Sequence, residues 1–333
     1  PEELTPTNPP PPPAVSRNGP MINLKKLRAN MAASLRSTLD PSSRLHGAGQ
    51  QLLIPGRSGE VEVFFHPGGA PSKNPVVFEL HGGGFAFGDA SESDALCEHL
   101  RKDLEIAVVS VNYRRSPKHP FPAALEDVYD AMLYFHDHAF VYGIDPDRMA
   151  VFGHSAGGNL TAAVSLLARR TGAFPISAQL MTYPYLNLAE SPFEKPRYPE
   201  ALPGAALLSF NEMYARPDQR RDPLVSPVFA QPEDLKGLPP ALILTAEFDS
   251  LNAEGARYAG MLRSAGVPTE LYQVPGAIHG FLEDYFKPAT SRVLAADPEQ
   301  SAKVEAQVHD ALNHVEETLA RTLSLPQEPD DQE

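Results

Sequence analysis

The sequence predicts an α/β protein whose mostly parallel sheet is covered by helices on both faces. Seven short β-branched or apolar runs recur along the chain, at 61–66, 76–81, 107–112, 149–153, 178–182, 241–246 and 269–274. Helical patterns alternate with them, at 94–103, 122–139, 155–171, 253–265 and 298–323. This alternation favours a parallel sheet, because each parallel crossover needs a connecting segment that packs against one face.

Four segments fall outside this alternation. Residues 1–20 hold eight of the 35 prolines and are predicted to be a flexible arm, with a ligand for a proline-binding domain as the alternative. From Met21 to Leu35 apolar residues recur every three to four positions, which predicts an amphipathic helix. The interval 184–237 carries nine prolines and no strand pattern, so it is interpreted as an insertion. Residues 326–333 are predicted to be an acidic, solvated tail.

Composition excludes several classes of function. The net charge is −14 over 333 residues, and an acidic surface is repelled by nucleic acid and anionic lipid. We therefore expect no nucleic-acid partner. No apolar run approaches the roughly 18 residues that span a bilayer, so no stable membrane insertion is expected. The single cysteine, Cys97, excludes an intrachain disulfide and, with no signal peptide found, favours a cytoplasmic location.

A Gly-x-Ser-x-Gly turn joins the run at 149–153 to the helix at 155–171. A serine on so sharp a turn has a strained backbone, and Gly153 and Gly157 leave room for the adjoining strand and helix. We predict that Ser155 is a nucleophile at the N-terminus of that helix. A chance glycine-rich turn is the alternative. A phosphate-binding loop is disfavoured, because no Gly-Lys-Ser/Thr follows the glycines.

Three consecutive glycines follow the run at 76–81 and predict a loop whose backbone amides face a ligand. Acyl transfer needs such donors where negative charge develops on the carbonyl oxygen. The candidate donors are the N–H groups of Gly83 and Gly84, together with that of Ala156, the residue after the nucleophile. His81, which precedes the glycines, is expected to brace the loop by hydrogen bonding rather than to transfer protons.

A serine nucleophile needs a base, and His279 lies after the last predicted strand, where the base of a Ser…Asp…His order falls. The orienting carboxylate is predicted after the run at 241–246, where Asp249 is favoured over Glu247 by position alone. His154, beside the nucleophile, is expected to be structural. His136 and His138 are two apart on a helix, so they are interpreted as a surface pair rather than a metal site.

Together these residues resemble the hormone-sensitive-lipase-like carboxylesterases of the α/β-hydrolase superfamily, the bacterial family IV type. The resemblance covers about residues 60–285 and rests on four motifs in the family's order, namely His81-Gly82-Gly83-Gly84, the segment 113–127, Gly153-His154-Ser155-Ala156-Gly157-Gly158, and Asp249 with His279-Gly280-Phe281. Two departures stand out. The family often has aspartate at the position of His154, and an acidic residue at that of Ala253.

The resemblance implies an α/β-hydrolase fold with a helical cap. The cap would comprise residues 21–45 and 185–230, and the hydrolase core residues 46–184 and 231–325. It also implies Ser155 as nucleophile, His279 as base and Asp249 as its partner, with no cofactor and no metal. Apolar residues of the insertion are expected either to line an acyl pocket or to pack the cap, namely Leu207, Leu208, Phe210, Met213 and Tyr214.

The predicted function is therefore that of a serine carboxylesterase, which hydrolyses a small-molecule ester of short to medium acyl chain through an acyl-enzyme. A dedicated deacetylase or an arylformamidase-like amidase on the same residues is the alternative. A ligand-binding protein without turnover is disfavoured, because it would have a broken triad and all three members are present. The oligomeric state stays open, with a homodimer as one expectation.

Overall fold

The computed structural model describes residues 48–287 and 298–325, and eight strands in this part of the chain form one sheet. The strands are β1 (Gln50–Gly56), β2 (Gly59–His66), β3 (Asn74–Leu80), β4 (Ala107–Asn112), β5 (Ile144–His154), β6 (Ala178–Thr182), β7 (Ala241–Phe248) and β8 (Thr269–Ile278). Their order is β1-β2-β4-β3-β5-β6-β7-β8. β2 pairs antiparallel with β1 and β4, and the other pairings are parallel.

The helices of the described chain are α1 (Asp94–Leu104), α2 (Ala123–Asp137), α3 (Ala139–Tyr142), α4 (Ala156–Thr171), α5 (Gly204–Tyr214), α6 (Pro232–Leu235), α7 (Asn252–Ser264), α8 (Phe281–Tyr285) and α9 (Pro298–Thr322). Short 3-10 turns occur at Ala90–Ser93 and Pro227–Phe229. In residues 48–287 and 298–325, no helix has both the length and the hydropathy needed to cross a bilayer.

Helices cover both faces of the sheet because successive residues of a buried strand point to opposite sides. In β3, Val76 and Phe78 pack with the side chains of α2 and α4. Val77, between them, packs with α1 and α9 on the other face. The predicted α/β class, with a mostly parallel sheet between helical layers, is confirmed.

The seven predicted runs correspond to β2 to β8, and the five predicted helices correspond to α1, α2, α4, α7 and α9. β1 has no counterpart in the sequence prediction. It is an edge strand that pairs with β2 alone, and its Leu53 is 59% exposed. A strand buried on so little of its surface lacks the continuous apolar run that marks the inner strands.

The interval 184–237 contains α5, α6 and one 3-10 turn, and no strand. Its first residues are held to the core by Glu254 of α7, whose carboxylate accepts the N–H groups of Leu186 and Asn187 at 2.8 Å each. Lys195 pairs with the other oxygen of the same carboxylate. The predicted arm at 1–20, the cap segment at 21–45 and the tail at 326–333 all lie outside the described residues.

Candidate active site

Ser155 lies between β5 and α4, on the turn that joins them. Its φ of 52° and ψ of −109° are in a region that residues with a side chain rarely adopt. The turn is as tight as the sequence predicts. A Cβ on Gly153 would lie 2.2 Å from the carbonyl oxygen of Gly157, and a Cβ on Gly157 would lie 2.0 Å from that of Leu80. The two glycines therefore permit a turn that no larger residue would fit.

Three side chains that are far apart in the sequence form a hydrogen-bonded chain. His279 Nε2 lies 2.9 Å from Ser155 Oγ, and His279 Nδ1 lies 2.7 Å from Asp249 Oδ2. Ser155 and His279 are 7% and 8% exposed, and Asp249 is fully buried. Because a carboxylate only accepts hydrogen bonds, Nδ1 carries the proton and Nε2 is left free to accept one from the serine.

The two carboxylates after β7 have different partners. The second oxygen of Asp249 accepts the N–H of Leu251 at 3.0 Å, which orients the carboxylate toward His279. Glu247 instead accepts the N–H of Gly276 at 2.6 Å, three positions before His279. Glu247 thus supports the loop that carries the imidazole, and Asp249 contacts the imidazole itself.

The triple-glycine segment forms a compact loop after β3, which we call the oxyanion loop (residues 81–88). Gly83 and Gly84 have φ values of 113° and 60°, and the carbonyl oxygen of Gly83 accepts the N–H groups of Ala86 and Phe87 at 3.2 and 2.9 Å. Within the described residues, the N–H groups of Gly83, Gly84 and Ala156 donate to no protein acceptor. These three amides are therefore available to a ligand.

His81 is completely buried at the start of the oxyanion loop. Its ring stacks on that of Tyr113 with centroids 4.2 Å apart, and Nδ1 lies 2.7 Å from the carbonyl oxygen of Gly82. Burial lowers the pKa of His81 to about 4, so the ring is neutral at neutral pH. The neutral ring donates its Nδ1 proton to that carbonyl and braces the loop.

His154 points away from the candidate nucleophile into the protein interior. Its Nδ1 lies 2.6 Å from Thr182 Oγ1, and burial lowers its pKa to about 4. Nε2 lies 3.6 Å from Glu79 Oε1, a carboxylate that is also completely buried. Burial raises the pKa of Glu79 to about 7, despite hydrogen bonds from the hydroxyl groups of Ser93 and Ser110.

Sequence reasoning missed Glu79. The signal available was one acidic residue within the apolar run Val-Val-Phe-Glu-Leu of β3. A charged residue in such a strand has to find a buried partner or stay protonated. That signal indicates a buried polar contact, but it does not identify His154 as the neighbour.

The insertion contacts the oxyanion loop through α5. The ring of Phe210 lies against Gly84, where an added Cβ would be 2.6 Å from the nearest ring atoms, and its centroid is 6.0 Å from that of Phe87. Tyr214 stacks on Phe85 at 3.7 Å and is fully buried. The apolar residues of the insertion thus divide into core residues (Leu207, Tyr214) and partly exposed ones (Leu208, Phe210, Met213).

One group of three potential metal ligands occurs in the described chain, at His99, Asp103 and Glu316. Glu316 lies 3.0 Å from His99 Nε2, whereas Asp103 lies 3.3 Å from Nδ1. Since the two ring nitrogens point in different directions, one ion would not bind the imidazole beside both carboxylates. The group is an ion-pair cluster between α1 and α9.

The two histidines near the end of α2 have separate partners. His136 contacts the carboxylate of Asp137, whereas His138 contacts the carbonyl oxygen of Tyr134.

Known proteins are similar to this chain in sequence and in fold. A family profile described as the alpha/beta hydrolase fold matches residues 77–283. The carboxylic ester hydrolase LipN of Mycobacterium tuberculosis is 37% identical over 269 residues, which cover 77% of this chain and 69% of that protein. The chain belongs to the carboxylesterases of the α/β-hydrolase superfamily.

Two further similarities agree with this membership. An arylesterase of Saccharolobus solfataricus is 39% identical to this α/β hydrolase over 225 residues, covering 66% of this chain and 72% of that protein. The solved structure of an esterase from Pyrobaculum calidifontis superposes with a TM-score of 0.69 at 33% identity, covering 87% of this chain and 94% of that one. The prediction that the chain is a carboxylic ester hydrolase is confirmed.

Proposed function

We propose that this α/β hydrolase is a serine carboxylesterase that cleaves short- to medium-chain acyl esters through a covalent acyl-enzyme. The contact chain from Ser155 through His279 to Asp249, with distances of 2.9 and 2.7 Å, is the observation that carries the proposal. A role in binding without turnover has no support from this geometry, because all three groups are present and in contact.

In the first half of the reaction, Ser155 Oγ attacks the ester carbonyl carbon while His279 Nε2 accepts its proton. Asp249 stabilises the imidazolium that forms. The tetrahedral intermediate then collapses, and the alkoxide of the alcohol leaves with the proton from Nε2. Ser155 is left esterified by the acyl group.

Water completes the cycle by the same steps. It attacks the acyl carbon as His279 takes one of its protons, and the second intermediate releases the acid as that proton returns to Ser155. In both intermediates the carbonyl oxygen is negatively charged. The free N–H groups of Gly83, Gly84 and Ala156 are the proposed donors to it, each contributing roughly 3 kcal/mol to transition-state stabilisation.

The preference for shorter acyl chains is proposed from the position of α5. The ring of Phe210 rests directly on Gly84, so an aromatic side chain lies next to one of the proposed oxyanion donors. A side chain at that place restricts the space beside the reacting carbonyl. We infer that the acyl group meets this ring as it lengthens.

The test measures kcat/KM on p-nitrophenyl esters from acetate to palmitate, for the wild type and for Ser155→Ala. We expect activity on the short esters and a fall of at least about 1,000-fold in the variant. Ser165→Ala is the matched control, since this buried serine of α4 donates only to the carbonyl of Thr161. A p-nitroanilide with the same acyl group distinguishes an esterase from an amidase.

Each outcome is decisive for a different part of the proposal. Activity that persists in Ser155→Ala would exclude this serine as the nucleophile. Highest activity on palmitate would refute the chain-length proposal and leave the nucleophile intact. Faster cleavage of the anilide than of the ester would favour an amidase.

A further inference from the structure

We propose that Glu283 is a positioning residue that holds the oxyanion loop in its active geometry. Its Oε1 accepts the N–H of Gly82 at 2.9 Å, although the two residues are 201 positions apart. The proposal rests on the proposed function, because it assumes that Gly83 and Gly84 supply oxyanion donors. Glu283 does not contact the reacting groups itself; it acts through the backbone of Gly82.

The carboxylate of Glu283 is in close contact with the loop. A Cβ on Gly82 would lie 2.6 Å from Oε2 and 3.0 Å from Oε1, so the carboxylate occupies the space that a side chain at position 82 would fill. The absence of a side chain at Gly82 thus allows Glu283 to approach the backbone, whereas the absence of one at Gly83 allows a tight turn against Phe87.

Both peptide units that flank the Cα of Gly82 are anchored. The N–H of the first unit donates to Glu283, and the carbonyl of the second accepts from His81 Nδ1 at 2.7 Å. That second unit also contains the N–H of Gly83. Because a trans peptide is planar and its C=O and N–H point in opposite directions, fixing the carbonyl on His81 directs the Gly83 N–H the other way. The unit before it is held on both sides, by Glu283 at its N–H and by the Tyr113 hydroxyl, which donates to its carbonyl oxygen at 2.8 Å.

Glu283 is itself held in place. It lies on α8, four residues after His279, and its own N–H donates to the hydroxyl of Tyr183 at 3.3 Å. The ring of Tyr183 is in turn 5.0 Å from the ring of His279. One short segment therefore carries both the proposed base and the anchor of the oxyanion loop.

The carboxylate is ionised, which strengthens its hydrogen bond to the loop. Burial by itself would raise the pKa of Glu283, but its neighbours, foremost the ammonium group of Lys287, hold the pKa below its usual value. Lys287 Nζ lies 4.0 Å from Glu283 and 2.9 Å from Glu92. The cation offsets a negative charge that would otherwise oppose a developing oxyanion.

Three variants of Glu283 separate the hydrogen bond from the charge. Glu283→Gln keeps an acceptor oxygen at the same reach, Glu283→Asp keeps the charge but is one methylene too short, and Glu283→Ala removes both. Glu92→Ala is the matched control, because it removes a carboxylate that pairs with Lys287 and leaves the loop contact intact.

We expect Glu283→Ala and Glu283→Asp to lower kcat on p-nitrophenyl acetate about 10- to 100-fold, with KM within about threefold of the wild-type value. This decrease in kcat is smaller than the decrease caused by removing an oxyanion donor itself. Glu283→Gln and Glu92→Ala should stay within about fivefold of the wild type. Inhibition by a trifluoromethyl ketone, which forms a tetrahedral adduct with serine, should weaken in proportion to kcat/KM, because it needs the same donors.

A purely structural role of Glu283 would lower the thermal midpoint without moving ketone affinity and kcat/KM together, and that result would overturn the proposal. Equal activity of Glu283→Asp and the wild type would also overturn it. Should Glu283→Ala fail to fold, the comparison of Glu283→Asp with Glu283→Gln decides. The variant Ser155→Ala distinguishes failure of the proposed function from failure of the proposed role of Glu283. Activity that remains in Ser155→Ala refutes the proposed nucleophile, whatever the Glu283 variants show.

Discussion

Replacing Glu79 by glutamine removes a buried ionisable group and keeps its shape. The carboxylate is fully buried in β3 and accepts a hydrogen bond from Ser93 Oγ at 2.9 Å. The amide oxygen of glutamine retains an acceptor there. Its NH2 group takes the place of Oε2 and donates to Ser110 Oγ, whose own hydroxyl donates to the carbonyl oxygen of Ala90 at 3.3 Å. We therefore expect Glu79→Gln to fold, and to be more stable than the wild type at alkaline pH.

The magnitude follows from the pKa of Glu79, which burial raises from 4.5 to about 7. Between these values the native state keeps a proton that the unfolded chain has released, so the stability of the wild type falls as pH rises. At 1.36 kcal/mol per pKa unit the penalty reaches about 3 kcal/mol above pH 7 and is under about 1 kcal/mol at pH 5. The advantage of the variant should therefore grow by about 2 kcal/mol from pH 5 to pH 8.

The assay is urea unfolding of both proteins at pH 5, 6, 7 and 8, with the difference in free energy of unfolding plotted against pH. Taking this difference cancels the contributions of groups that titrate equally in both proteins to the free energy of unfolding. Glu60→Gln, at an exposed position of β2, is the control for the loss of any one carboxyl group. A difference between Glu79→Gln and wild type that stays constant from pH 5 to pH 8 would refute the reasoning.

Three other substitutions test the geometry of the site. Asp249→Asn presents an amide to the imidazole and favours the wrong tautomer, so we expect kcat on p-nitrophenyl acetate to fall about 10,000-fold. Gly157→Ala places a Cβ 2.0 Å from a carbonyl oxygen of β3, and we expect little folded enzyme by circular dichroism. The control is Gly260→Ala, whose Cβ meets nothing within 4 Å and which should raise the free energy of unfolding by up to about 1 kcal/mol. Phe210→Ala removes the ring beside the oxyanion loop and should move the preferred p-nitrophenyl ester to a longer acyl chain.

These predictions fail in distinct ways. Near wild-type kcat in Asp249→Asn would mean that another group orients the imidazole, with Glu247→Gln as the control for the adjacent carboxylate. A fully folded Gly157→Ala would contradict the tight contact between α4 and β3. An unchanged chain-length profile in Phe210→Ala would show that the acyl group lies elsewhere.

Some expectations from the sequence stay predictions. They are the domain boundaries at residues 20, 45, 184 and 230, the two-part cap and the homodimer. The catalytic and oxyanion roles of the individual residues are likewise proposals, which the Ser155, Asp249 and Glu283 variants test.

The sequence by itself determined where the inner strands and long helices lie, because hydrophobic periodicity and glycine placement are local signals. It also determined the turn at Ser155, since a strand, two glycines and a helix follow one another within a few residues. β1 escaped prediction because an exposed edge strand carries little of that periodicity.

Only the tertiary structure decided which distant groups meet. Position in the sequence favours Asp249 over Glu247 but does not exclude either; in the fold, Asp249 contacts His279 and Glu247 contacts Gly276 instead. The contacts of Glu79 with His154 and of Glu283 with Gly82 join residues that no local signal pairs. They arise because parallel strands bring their carboxyl ends to one edge of the sheet, where loops from remote parts of the chain become neighbours.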